Sequence, residues 1–195
     1  MKRTRLTQLM VLGVAMFSGA LLRAMGPDVQ GAAAAPEQNK ARVERGAYLV
    51  GMMGCNDCHT PWKVGPQGPE PDMTRALTGH PQDMVMPPAP AASGPWIWHG
   101  AATNTAFAGP WGVSFTANLT PDPETGLGKW TEAMFLATMR TGRHQGKGRP
   151  ILPPMPVKMI GKANDEDLKS IFAYLQSLAP VKNRVPTPID PPDAK

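Results

Sequence analysis

Cysteine is nearly absent, with two in 195 residues. That excludes a disulfide scaffold and leaves too few thiols for a four-cysteine zinc or iron–sulfur site. Charged residues make up 18% and aromatics 6% of the chain, so it is lean in both. No internal repeat is visible, and no run alternates apolar and polar residues long enough to predict a strand. The formal charge of +5 is also less than it looks, because Lys2, Arg3, Arg5 and Arg23 stand in the first 35 residues with only Asp28 against them. Residues 36–195 hold 16 basic and 14 acidic side chains, a net of +2, and a nucleic-acid partner loses its main support. The length suits one domain and is short for two.

Proline and glycine are what the chain has in excess, 23 and 20 of them. They follow no period and are interleaved with apolar residues, which excludes collagen, argues against wholesale disorder and predicts long shaped loops around something rigid. The first residues, MKRTR, are cationic, Leu6 to Leu22 is an apolar run of 17, and GAAAAPEQ follows at residues 31–38. The pattern resembles a bacterial export signal, with Ala32 and Ala34 suited to a peptidase. A run of 17 also sits at the lower limit for spanning a bilayer. Residues 1–35 are therefore read as a signal peptide or an N-terminal anchor, and either places the remainder outside the cytoplasm.

Gln38 to Met52 predicts a helix with Val43, Ala47 and Val50 on one face, ended by Gly51 and Gly54. From Thr60 to Pro110 Pro, Gly, Met and Ala dominate without period, which predicts a wrapped loop with one helical turn near Met73 to Leu77. Thr131 is placed to cap a helix through Thr141, with Glu132 in its first turn and Gly142 as its stop. Asn164 is placed to cap the last helix, with Asp165, Glu166 and Asp167 at the positive end of its dipole and a stripe of Leu168, Ile171, Phe172, Leu175 and Leu178.

Cys55-Asn56-Asp57-Cys58-His59 is the C-x-x-C-H pattern of c-type haem attachment. Two thiols one helical turn apart can each add to a porphyrin vinyl group, which leaves the adjacent imidazole beneath the iron. A thioredoxin-like pair should instead follow a strand, and here the preceding segment reads as helix. A disulfide would close too small a loop to stabilise much. A zinc site lacks an obvious fourth ligand.

Together with ARVERGAYLV, CNDCHTP, ANLTPDPETGLGKWT, ILPPMP and DEDLKSIFAYLQSLAPVKNRVP, this motif resembles a single-haem class I cytochrome c. The likeness is stronger to the cytochrome domains of bacterial periplasmic alcohol, gluconate and nicotinate dehydrogenase subunits. The resemblance implies an all-α fold of helices wrapped round one covalent haem c, occupying residues 36–195. Residues 63–110 depart from it as an extended loop insertion. It further implies that the first and last helices cross at Gly46, with Phe172 or Tyr174 filling the crossing. Cys55 and Cys58 would attach the haem, with His59 and Met155 as axial iron ligands. Met155 is chosen for its rigid Pro153-Pro154-Met155-Pro156 setting and its place before the last helix; Met159, His80, His99 and His144 are the rivals. The segment flanked by Asn118 and Trp130 would lie under the haem edge, where the indole N–H could reach a propionate or simply pack in the core.

The function expected is a non-enzymatic, periplasmic carrier of single electrons between a redox donor and acceptor, such as a dehydrogenase, a respiratory complex or a terminal oxidase. A dedicated cytochrome subunit of one dehydrogenase is the alternative, and a haem peroxidase or ligand sensor a further one. Between Ala133 and Asn164 there is no acidic residue, while Arg140, Arg143, Lys147, Arg149, Lys158 and Lys162 all fall there. This basic stretch around Met155 suits either solubility or an acidic partner.

Overall fold

The computed structural model describes residues 36–90 and 94–191. The segment assigned to an export signal or anchor, residues 1–35, lies outside the described residues, and no described helix is long and apolar enough to cross a membrane.

Three helices make the frame. Helix α1, Pro36–Met52, starts with a proline whose missing N–H has no partner to lose, and Glu37 stands in its first turn. It buries Gly46, Leu49 and Val50, a face that turns slightly away from Val43 and Ala47. A short helix α2, Cys55–His59, follows directly. Helix α3, Glu132–Thr141, is capped by the Thr131 hydroxyl accepting from Met134 N at 3.2 Å and ends at Gly142 in the left-handed conformation, φ 67°. After the short α4, Val157–Ile160, α5 runs Asp165–Ser177 with the Asn164 carboxamide accepting from Asp167 N at 2.7 Å. The three caps and stops match the sequence because each is decided within four residues.

Helices α1 and α5 make the most extensive contact between elements. A Cβ at Gly46 would collide with the Ser170 carbonyl oxygen, so glycine is what lets the two backbones approach. Leu49, Val50, Leu127, Phe135, Ile160, Leu168, Ile171, Phe172 and Leu175 form one core with Leu77, and Phe135 meets Phe172 at 5.3 Å between ring centroids.

The all-α expectation is overturned by two antiparallel sheets. Strands β1, Trp62–Gly65, and β2, Gly68–Pro71, form a hairpin; β3, His99–Gly100, β4, Ala106–Gly109, and β5, Gly112–Phe115, form a three-stranded sheet in that order. Four of the five strands thus lie within or beside the expected loop of residues 63–110. The reason they escape a search for alternation is length, since none exceeds four residues. Both hairpins are closed by the same local sequence, Gly65-Pro66-Gln67-Gly68 and Gly109-Pro110-Trp111-Gly112, with the outer glycines paired in register. Proline suits the first turn position, and the closing glycines take φ 117° and 88°. Pro69 and Pro71 are tolerated because β2 is an edge strand. The expected helical turn exists as a single 3₁₀ turn, Met73–Arg75.

Beyond α5 the chain returns as a strap across these loops. Val113 and Ile189 exchange backbone hydrogen bonds at 2.8 and 2.9 Å. The buried Asn183 carboxamide donates to the carbonyls of Thr78 at 2.7 Å and His80 at 2.9 Å and accepts from Gln82 N at 2.9 Å.

Candidate functional site

Gly54 sits at φ 66°, a turn that lets α2 start almost at once after α1 and sets Cys55 and Cys58 one helical turn apart. Cys55 is half-buried and packs against the core. Burial pushes its thiol up to about 11 and raises that of Cys58 as well. Both are therefore protonated at neutral pH, unlike the activated thiol of a disulfide oxidoreductase. Helix α2 also follows a helix rather than a strand. No cluster of three His, Cys, Asp or Glu side chains suited to a metal ion exists among the described residues.

His59 is buried and held at both ends. Its Nδ1 lies 2.8 Å from the Ala117 carbonyl, and its own carbonyl accepts from Gly79 N at 2.7 Å. A carbonyl only accepts, so Nδ1 carries the proton and Nε2 keeps its lone pair. Burial lowers the imidazole pKa, which favours the same neutral form. A neutral ring oriented through Nδ1–H is the form in which histidine ligates a metal.

The strand-bearing region supplies the clamp. The buried Thr60 hydroxyl donates to Asn56 Oδ1 and accepts from Leu77 N, both at 2.9 Å. Trp62 Nε1 and Asn104 Nδ2 both donate to the Asp57 carbonyl, at 2.8 and 2.7 Å. His80 N donates to the Thr116 carbonyl at 3.0 Å, so the stretch that carries Ala117 is tied to the loop that carries Gly79.

Met155 is half-buried and packs on the same core cluster as Cys55. The loop before it is pinned by Ser114, whose hydroxyl donates to the Pro153 carbonyl at 2.6 Å. Met159, its nearest rival, is 60% exposed. His80 is committed elsewhere: it is fully buried, with Thr105 Oγ1 3.0 Å from Nδ1, the Met84 carbonyl 3.2 Å from Nε2, and Phe115 against its ring. His144 stands edge-on to Trp130 at 5.1 Å, and His99 lies in β3.

Trp130 packs against the core. Asn118 is a structural staple: its Nδ2 donates to the Val181 carbonyl at 2.8 Å and its Oδ1 accepts from Thr120 N at 3.0 Å and Thr120 Oγ1 at 2.8 Å. In the basic stretch, Arg140 is bound to the Gly161 and Ala163 carbonyls and to Asp165, while the other five cations make no ion pair among the described residues. Ser114, His80 and Asn183 were not singled out as supports from the sequence, because nothing local marks a polar residue as buried. The repeated Gly-Pro-Xaa-Gly was the one available sign of the hairpins.

No protein-family model matches the chain. It is similar to a nicotinate dehydrogenase subunit of Pseudomonas putida, 39% identical over 85 residues that make up 44% of this chain and 7% of that protein. It is also similar to the cytochrome c subunit of the quinone alcohol dehydrogenase of Gluconobacter oxydans, 26% identical over 80% of this chain and 26% of that subunit. The cytochrome subunit of fructose dehydrogenase from Gluconobacter japonicus is 25% identical over 93% of this chain and 28% of its own length. The chain thus spans less than a third of each of these relatives, and it is homologous to cytochrome c subunits of dehydrogenases.

Proposed function

We propose that this chain is a single-haem electron carrier: its homology to cytochrome c subunits supports an electron-transfer haem protein, and its residues fit the group. The observation that carries the reading is His59, a buried neutral imidazole with Nδ1–H held by Ala117 and, among the described residues, no hydrogen bond on Nε2, directly after two thiols on one helical turn. Bound there, haem c supplies a one-electron Fe(III)/Fe(II) couple.

Each residue then has a defined role. Cys55 and Cys58 would hold the porphyrin through thioether bonds. His59 would present Nε2 to the iron, while Ala117 fixes the ring and strengthens its basicity through Nδ1–H. Met155 would offer a soft sulfur to the iron, on a loop stiffened by prolines and held by Ser114. The Leu49, Phe135 and Leu175 core, against which Cys55 and Met155 both pack, would keep water from one side of the bound group. No group is needed to move a proton or attack a substrate.

Residues 1–35 serve in this reading as an export signal or anchor, which places the carrier in the periplasm. Its donor is a dehydrogenase; relatives that are dehydrogenase subunits favour a dedicated subunit as the second reading.

Intact mass is expected to exceed that of the apoprotein by one haem that acidic organic solvent does not extract, and Cys58→Ala should weaken that attachment. Met155→Ala should abolish the near-infrared iron–sulfur band of the oxidised protein and open the reduced one to carbon monoxide, while Met159→Ala should do neither. Complete extraction of the haem would overturn covalent attachment, and an exchange of the two methionine phenotypes would move the ligand to Met159.

A further inference from the structure

Trp96, Ile97 and Trp98 are consecutive and exposed, at 70%, 62% and 44%. In extended chain neighbouring side chains point to opposite sides, so one of three would ordinarily be covered. The ridge is also held in place: β3 follows it immediately and pairs with β4, and the Trp98 ring packs on Phe107 at 5.8 Å between centroids. It borders an open cleft of about 400 Å³ lined by Pro95, Trp96, Ile97, Trp98, His99 and Gly100. A fixed run of large apolar side chains in water is a cost to a soluble fold and marks a contact surface.

Charge decides what kind of contact. Between Asp83 and Asp122 the sequence has no Asp, Glu, Lys or Arg, a stretch that holds the whole ridge and strands β3 to β5. The interfaces that proteins offer each other carry a polar rim, and the five cations of the Met155 stretch that make no ion pair among the described residues already provide a charged surface elsewhere. A surface without charge can instead enter a low-dielectric phase with no ion to desolvate. Tryptophan prefers the boundary between lipid headgroup and acyl chain, where its ring is covered and its N–H stays wet. The chain carries a second apolar feature, the Leu6 to Leu22 run, joined to α1 by 13 residues, which reach at most about 45 Å when extended.

We infer that Trp96, Ile97 and Trp98 form a lipid-docking ridge, by which the folded unit rests on the headgroup boundary of a phospholipid bilayer. This stands independently of the haem reading. The inserted segment thereby holds the unit against the membrane surface in one orientation rather than letting it tumble on a tether.

The test uses the full-length holoprotein with phosphatidylcholine vesicles that contain a phospholipid bearing a photoreactive diazirine on its acyl chain. After illumination, mass spectrometry locates the labelled peptides. Label is expected on the peptide spanning residues 94–104 and not on residues 144–152. Trp96→Ser with Trp98→Ser should remove more than half of it while leaving any label on residues 1–35 unchanged, so an N-terminal anchor cannot mimic the result. An unlabelled ridge, or labelling indifferent to the double variant, would overturn the proposal. So would a ridge cross-linked between two copies of the chain without lipid, which would assign it to self-association.

Discussion

The helical frame and the strand-bearing arm of residues 60–117 are stabilised by opposite means. The frame buries leucines, isoleucine, valine and phenylalanines on α1, α3 and α5; among the described residues the arm adds Leu77 to that cluster and buries Ala106 and Phe107 apart from it. The arm and the segments laid over it bury mainly polar groups: Thr60, Thr78, His80, Thr105, Ser114, Asn118 and Asn183. Apolar burial is non-directional and tolerates small shifts, whereas a buried hydrogen-bond network stabilises only when every member is satisfied. The region with the less forgiving chemistry is the one that holds His59 and the loop before Met155.

The largest expected effect lies in the frame. Leu168, with no exposed surface, should cost about 2–5 kcal/mol when replaced by Ala, measured by denaturant unfolding of the holoprotein. A loss below about 1 kcal/mol would mean that the frame relaxes easily and would break the contrast.

Asn183→Ala should come next, at about 2–3 kcal/mol, because it orphans the carbonyls of Thr78 and His80 and the N–H of Gln82. Its damage should be local, so amide exchange is expected to quicken in residues 76–84 and 101–117 while α5 stays protected. Equal acceleration in both regions would show one cooperative unit rather than two.

Acid should separate them further. Burial holds the His80 pKa below its ordinary 6.5, so the unfolded chain takes up the proton first. The stability this neutral ring contributes is present above about pH 6.5 and is lost as pH falls from there to the folded value. Asp122, lowered by its hydrogen bonds from Thr125, gives way only below the ordinary carboxylate range. Protection factors in the arm, which remove the intrinsic pH dependence of amide exchange, should thus fall on going from about pH 7.5 to about 5.5, and His80→Asn should flatten that fall. A pH profile unchanged by the substitution would remove His80 as the cause.

The smallest effect on stability, within about 0.5 kcal/mol, is expected for Arg143→Glu with Lys147→Glu on the exposed basic surface. Electron transfer with an acidic partner should nevertheless slow by about tenfold at low salt, with the haem spectrum unchanged, and should become less sensitive to ionic strength. A rate indifferent to both would leave these cations a role in solubility alone.

Much of the frame was legible because its signals are local. Thr131, Asn164 and Gly142 mark helix ends within one turn, and the stripe from Leu168 to Leu175 repeats at helical spacing. The C-x-x-C-H motif is legible for the same reason, five adjacent residues on one short helix. Gly46 was placed at the crossing by the family resemblance, and the single apolar stripe on each helix agreed, since neither can bury it alone. The arm was read as loop, and all-α failed with it, because four-residue strands lie below the length at which alternation differs from chance. What residues 60–117 and the final strap do is a matter of partners distant in the chain: Ala117 for His59, Ser114 for Pro153, Asn183 for Thr78 and His80. By itself the sequence determined the three frame helices, the caps of α3 and α5 and the C-x-x-C-H motif, since each depends on neighbours within a few residues. Only the tertiary structure decided the sheets, the tautomer of His59 and the pinning of the loop before Met155, because a hydrogen bond across 39 to 105 residues leaves no periodic trace in either segment that makes it.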